Sequence, residues 1–136
     1  VGRAHAAMAL EAKRAGERVA IMSGGELTVT VRGNGSGGPN QEYALGLAIA
    51  LDGAKGITAI AGDTDGTDGG GGSATDPAGA IVLEDTLARA SGKGLDAAKF
   101  LDNNDSTAFF RAVDGLIECG PTQTNVNDFR CVLVDP

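Results

Sequence analysis

Two periods of hydrophobic and polar positions run along this chain, and they divide it into elements. Residues 1–15 are rich in Ala and apolar at helical spacing, which predicts a helix ended near Gly16. "RVAIM" (18–22) and "LTVTV" (27–31) read as strands, with "SGGE" between them. "NQEYALGLAIALDG" (40–53) is apolar nearly all round and predicts a helix buried on more than one side. "GITAIAG" (56–62) and "AGAIV" (78–82) read as short buried strands. "EDTLARASG" (84–92) and "DAAKFL" (96–101) predict short helices, and the Asn/Asp/Ser cluster of "DNNDSTAFFRAV" (102–113) reads as the cap of another. "GLIECG" (115–120) and "FRCVLV" (129–134) read as strands flanking the polar loop "PTQTNVND".

Strands alternating with helices predict an α/β fold, a layered α/β/α domain with a mixed, mostly parallel sheet. The close pair "RVAIM" and "LTVTV" supplies the antiparallel part of that mixture. The polar and Gly-rich loops follow strands, so they are expected to share one edge of the sheet, where ligands gather in open α/β folds.

Composition sharpens this picture at three points. The chain of 136 residues has 42% hydrophobic residues and no Trp, so one core built from Ala, Val, Ile and Leu is expected. A net charge of −7 argues against a nucleic-acid partner, which needs a basic face. No stretch of about 20 apolar residues exists to span a membrane, and there is no secretory signal. Cys119 and Cys131 then read as free buried thiols of a cytoplasmic protein. The 22 glycines are about twice the usual share of roughly 7% and fall in clusters, which marks specialised loops. The chain opens with Val inside a helical pattern, which reads as a segment of a longer protein.

The loops carry the candidate chemistry. "GNGSGG" fits the G-x-G-x-x-G pattern at Gly33, Gly35 and Gly38, and Asp63 ends the next strand, where a dinucleotide fold places its ribose-binding acid. The helix nevertheless starts after the last glycine, at Pro39, so a phosphate or carboxylate held at the helix N-terminus fits better. "AGDTDGTDGGGGSATD" (61–76) fails the EF-hand frame: Asp68 stands at the glycine position and Ala74 at the final ligand position. Mg²⁺ suits it better, needing only one or two carboxylates plus substrate phosphates and water. Asp63 follows a buried strand directly, with Asp65 and Asp68 as further contributors, whereas Asp76 before Pro77 reads as a turn residue. "SGGE" offers glycines for close approach and Glu26 as an acceptor. Thr122, Thr124, Asn125, Asn127 and Asp128 give a density of polar groups suited to a polyhydroxy acid or a phosphate. His5 is given no role, and no zinc cluster, Ser/His/Asp set or Walker A sequence is present.

Taken together, "SGGELTVTVRGNGSGGPNQEYALGLAIAL", "AGDTDGTDGGGGSATDPAGAIV", "NNDSTAFF" and "GPTQTNVNDFRCVLV" resemble the C-terminal MOFRL domain of bacterial-type glycerate 2-kinases, some of which bear the name hydroxypyruvate reductase. The resemblance covers residues 1–136 as one domain and implies a larger N-terminal domain of the same polypeptide as its partner, with the active site between the two. It implies ATP-dependent phosphorylation of D-glycerate to 2-phosphoglycerate with Mg²⁺. The matching positions are Glu26, Asn40, Gln41, Glu42, Asp63, Asp65, Asp68, Thr124, Asn125 and Asp128. Of these, Asp63 and Asp65 are expected to be catalytic; Asp63, Asp65 and Asp68 to hold the metal; and the rest, with the amides at Gly37 and Gly38, to bind substrate or phosphate. A homodimer is a further partner to consider. The sequence departs from the family where many relatives carry Arg in place of Pro39, and where Gly69–Ala74 lengthens the acidic loop as a flexible extension. An NAD(P)H-dependent hydroxypyruvate reductase and a non-catalytic binding or assembly domain remain the alternatives.

Overall fold

A computed structural model describes residues 1–136. In chain order the elements are α1 (Gly2–Arg14), β1 (Val19–Gly24), α2 (Pro39–Leu51), β2 (Ile57–Asp63), β3 (Gly79–Val82), α3 (Thr86–Gly92), α4 (Ala97–Asp102), α5 (Ser106–Ala112), β4 (Leu116–Ile117) and β5 (Asp128–Val134). Each expected helix is present, and each expected strand except "LTVTV".

The sheet corrects the expectation of a mixed, mostly parallel arrangement. Its order is β1-β5-β2-β3-β4, and all four neighbouring pairs are antiparallel. The cause is the C-terminal strand. β1, α2 and β2 form a crossover unit whose two strands run the same way, as alternation predicts, but β5 inserts between them and pairs antiparallel with both. The strand pairing that decides parallel or antiparallel is thus made by a segment more than sixty residues downstream, out of reach of any local pattern.

The expected α/β/α layering is also reduced to two layers. One core cluster unites Ala6, Ala9 and Ala12 of α1, Leu45, Leu47 and Leu51 of α2, Phe109 and Phe110 of α5, and the inward residues of β2, β3 and β5. On the other face of the sheet Met22, Cys131, Ile60 and Ile81 lie in register across four strands, and Met22, Ile60 and Ile81 are exposed there. Cys131 is therefore only half-buried and Cys119 is exposed, unlike the buried thiols expected.

Small residues set the helix layer. A Cβ on Gly2 would sit 2.9 Å from the Tyr43 carbonyl oxygen, so α1 crosses α2 at near-backbone contact. Buried Ala6 and Ala9 continue that contact. α2 is the central helix: Pro39 opens it with φ already suited to a first turn, and it is buried on several sides, as its all-round apolar sequence predicts. No helix is long and apolar enough to cross a membrane.

Candidate functional site

Two strand ends meet at the candidate site. β2 finishes and β5 begins at the same edge, so Asp63 and Asp128 are register partners. Beyond Asp63 the chain turns on its own carboxylates: Asp65 N–H donates to Asp63 Oδ1 at 3.1 Å, and Thr67 N–H to Asp65 Oδ1 at 2.9 Å. These are the local turns that Asp forms readily. The loop before β5 is laced to this turn. Thr64 N–H donates to the Asn127 carbonyl at 3.1 Å, Val126 N–H to Thr64 Oγ1 at 2.9 Å, and Thr122 N–H to the Asp65 carbonyl at 3.1 Å. Asn125 Oδ1 closes a further turn by accepting from Asn127 N–H, and Thr124 stays exposed beside it.

The acids crowd one another here. Partial burial raises the Asp63 carboxyl to about 6, with further upward pressure from the neighbouring Asp65 and Asp128 carboxylates. Asp128 is buried but has a counter-ion: its Oδ2 lies 3.6 Å from Arg130 Nη1.

Arg130, 2% exposed, is the residue that sequence reasoning passed over. It donates to Ser23 Oγ at 2.9 Å and to the Gly24 and Gly25 carbonyls at 2.7 and 2.9 Å. It also reaches Asn40 Oδ1 at 3.4 Å, and its guanidinium stands over the Tyr43 ring at 5.6 Å. It therefore ties the "SGGE" turn, the start of α2 and Asp128 into one unit. The signal was in the sequence: Arg130 occupies an inward position of a strand whose next inward residues are Val132 and Val134.

Asp68 stands apart from Asp63 and Asp65 in role. Its Oδ1 accepts from Asn40 N–H and Nδ2 at 3.0 and 3.2 Å, and its Oδ2 from Gln41 N–H and Nε2 at 2.8 and 2.9 Å. Burial pushes its pKa up against the pull of these four donors. The protein thus supplies its own anion to the α2 N-terminus. The amides of Asn40 and Gln41, expected to meet a bound anion, are occupied by this side chain, and both oxygens that were expected to meet a metal are engaged. Gln41 Oε1 in turn accepts from Thr107, and Glu42 Oε1 from Asn104. No group of three or more His, Cys, Asp or Glu side chains is arranged to hold a metal.

The glycine run is also explained internally. A Cβ on Gly33 would strike Asn103, one on Gly35 Asp105, one on Gly37 Ser106 and one on Gly38 Asp68. The "NNDS" cluster, expected as a helix cap, instead receives this strap. Asn104 Oδ1 accepts from Arg32 and Gly33 N–H, Asn103 Oδ1 from Asn34 N–H and Asp105 Oδ1 from Ser36 N–H, while α5 has no side-chain cap bond. These glycines pack closely against the chain itself. The Gly37 and Gly38 N–H groups keep no partner in the chain, and the buried Ser106 Oγ against Gly37 has none either. Glu26 is exposed at the end of its turn.

An α/β domain with an acidic strand edge, held by a buried arginine and open on one side, is the class that fold and site define. Within it, residues 19–128 match the MOFRL family, and the chain belongs to that family. It is 46% identical over 140 residues to a protein of Agrobacterium vitis named "Putative hydroxypyruvate reductase", covering 98% of this chain and 35% of that protein. It is 47% identical over 115 residues to the D-glycerate 2-kinase of Thermotoga maritima, covering 85% of this chain and 27% of that enzyme. The crystal structure of a glycerate kinase from Thermotoga maritima superposes with a TM-score of 0.88 at 40% identity, over 98% of this chain and 32% of that one. The chain thus spans about a quarter to a third of the length of the relatives it matches.

Proposed function

We propose that this chain forms one wall of the active-site cleft of a glycerate 2-kinase, which phosphorylates D-glycerate to 2-phosphoglycerate with ATP. The observation that carries the reading is the Asp63–Asp65–Asp128 edge in a chain 47% identical to a D-glycerate 2-kinase. Phosphoryl transfer asks the protein mainly for positioning and charge neutralisation. The donor set fits Mg²⁺, since two adjacent carboxylates plus substrate phosphates suffice for that ion and no full protein cage is needed. Asp63 and Asp65 would hold it, and the crowding that raises Asp63 is the charge such an ion offsets. Bound there, Mg²⁺ would neutralise charge on the transferring phosphoryl group.

The remaining residues orient the substrates. The glycerate hydroxyl, oriented by the carboxylate edge, bonds through its oxygen to the γ-phosphorus as the bond to the β–γ bridging oxygen breaks, and its proton passes to a carboxylate oxygen of the edge that holds no ion. The free Gly37 and Gly38 N–H groups face an anionic group. Thr124 and Asn125 offer polar contacts to the hydroxy acid from the loop laced to Asp65. Arg130 fixes the floor. The remaining partner is the larger portion of polypeptide that the relatives carry, which supplies a further basic residue to this acidic edge.

A chimera tests the proposal: this chain replaces the corresponding region of the Thermotoga maritima D-glycerate 2-kinase. D-glycerate-dependent ADP formation with Mg²⁺ is expected. NADH oxidation with hydroxypyruvate in its place would move the chain to the reductase reading, and neither activity from a folded chimera would leave a binding or assembly role.

A further inference from the structure

Leu27–Val31 has the sequence of a strand and no strand to pair with. The segment Leu-Thr-Val-Thr-Val is strongly β-prone, yet it lies outside every ladder of the sheet. None of its N–H groups donates a hydrogen bond within the chain, and among its carbonyls only that of Thr30 accepts one, from Asn104 Nδ2 at 3.2 Å. A row of unsatisfied donors and acceptors on a β-branched segment is a template for strand addition. Its side chains alternate: Leu27 and Val29 are half-buried, Thr28 and Thr30 are exposed, and Val31 is 76% exposed. An open cavity of about 500 Å³ runs beside it, lined by residues 27–30 and Arg32 of the segment together with Tyr43, Gly46 and Leu101.

We propose that Glu26–Arg32 is a pairing strand for a second copy of this chain, the two segments running antiparallel about a two-fold axis through Val29. Charge and shape select this occupant. In that register Glu26 faces Arg32 of the second copy, Leu27 faces Val31, Thr28 faces Thr30 and Val29 faces itself. Each is a favourable cross-strand pair: opposite charges, apolar with β-branched, and hydroxyl with hydroxyl. Neither Glu26 nor Arg32 has an ion-pair partner in its own chain, whereas Arg14, Arg18, Arg89, Arg111 and Arg130 do. The pairing is isologous, so each dimer contains the Glu26–Arg32 pair twice. By strand alternation Leu27, Val29 and Val31 fall on one face of the ribbon and Glu26, Thr28, Thr30 and Arg32 on the other. One short ribbon buries less area than a standard interface, so the dimer is a dissociating one. The resemblance also gives Glu26 a place among the substrate positions, so this interface is read by association and not by activity, and the two readings can fail separately.

Charge reversal in sedimentation velocity tests it. The wild-type chain should show a monomer–dimer equilibrium as concentration rises to about 1 mM. Glu26→Arg and Arg32→Glu each set like charges opposite one another at both ends, and each should weaken association about tenfold or more. The double variant restores opposite charges and should recover dimerisation to within about threefold of wild type. Amide hydrogen exchange at Leu27–Val31 should slow in the dimer and leave the β2–β5 ladder unchanged. Because Glu26 and Arg32 are exposed and outside the sheet, circular dichroism should be the same for all four proteins. A chain that stays monomeric throughout, the result expected if a strand of another polypeptide is the true occupant, overturns the proposal. So does a dimer indifferent to the single reversals, or one that the double variant fails to restore.

Discussion

The ionised Asp63 carboxylate costs the fold stability. Its carboxyl titrates at about 6, raised from 3.8 first by burial and then by Asp65 and Asp128. A folded-state pKa above the unfolded value contributes stability that is complete below 3.8 and lost as pH rises through about 6. We therefore expect the melting temperature to fall across that window. Asp63→Asn should flatten the fall and raise the melting temperature at pH 7 by removing the crowded charge. Substitution at Asp68 has the opposite effect, because its four donors lose their acceptor when it is removed. Asp68→Ala should cost about 2–4 kcal/mol in urea unfolding, from a lost helix cap plus buried amides left unpaired. Arg130→Leu should cost about 3–5 kcal/mol by stranding the buried Asp128 carboxylate, and Asp128→Leu in the same chain should return part of it. Acid-rich loops look like ligand sets in a sequence. What separates Asp68 from Asp63 and Asp65 is a partner 28 residues earlier, which only the fold brings near.

Glycines at the level of elements divide into those the packing requires and those it does not. Gly35 lies against Asp105, so Gly35→Ala should lift the strap from the start of α5 and lower the melting temperature. Gly46, inside α2, has nothing within 4 Å of an added Cβ, and Gly46→Ala should stabilise by about 0.5–1 kcal/mol. Both follow from thermal or urea melts. Each helix was legible in the sequence because its apolar period, caps and breakers are local. Strands β1, β2, β3, β4 and β5 were legible for the same reason. "LTVTV" met every local criterion and still forms no ladder, because a strand is defined by its neighbour. The "NNDS" cluster misled similarly: its side chains suit a cap, and they accept from the glycine strap near residue 34, not from the helix they precede.

At the scale of the whole molecule, the order of the sheet was the part hidden from sequence. β5 lies between β1 and β2, which makes every pairing antiparallel and brings Asp128 opposite Asp63. The expectation that the polar loops share one sheet edge held for the loops after β2 and before β5, whose hydrogen bonds lace them together. It did not extend to the acidic loop as a block, since Asp68 turns away to cap α2 and Asp76 Oδ2 accepts from Gly72 and Ser73 N–H to fold the glycine stretch onto itself. The proposal makes this chain one wall of a kinase cleft, with Asp63 and Asp65 as its working residues. The chimera carrying this chain in the Thermotoga maritima D-glycerate 2-kinase tests that claim at single residues. Initial rates of D-glycerate-dependent ADP formation would be compared for the parent chimera, Asp63→Asn, Asp65→Asn and, as a control away from the edge, Asp85→Asn. The account predicts a loss of about a hundredfold or more for each edge variant, with Asp85→Asn near the parent. Edge variants as active as the parent at saturating Mg²⁺ would contradict it.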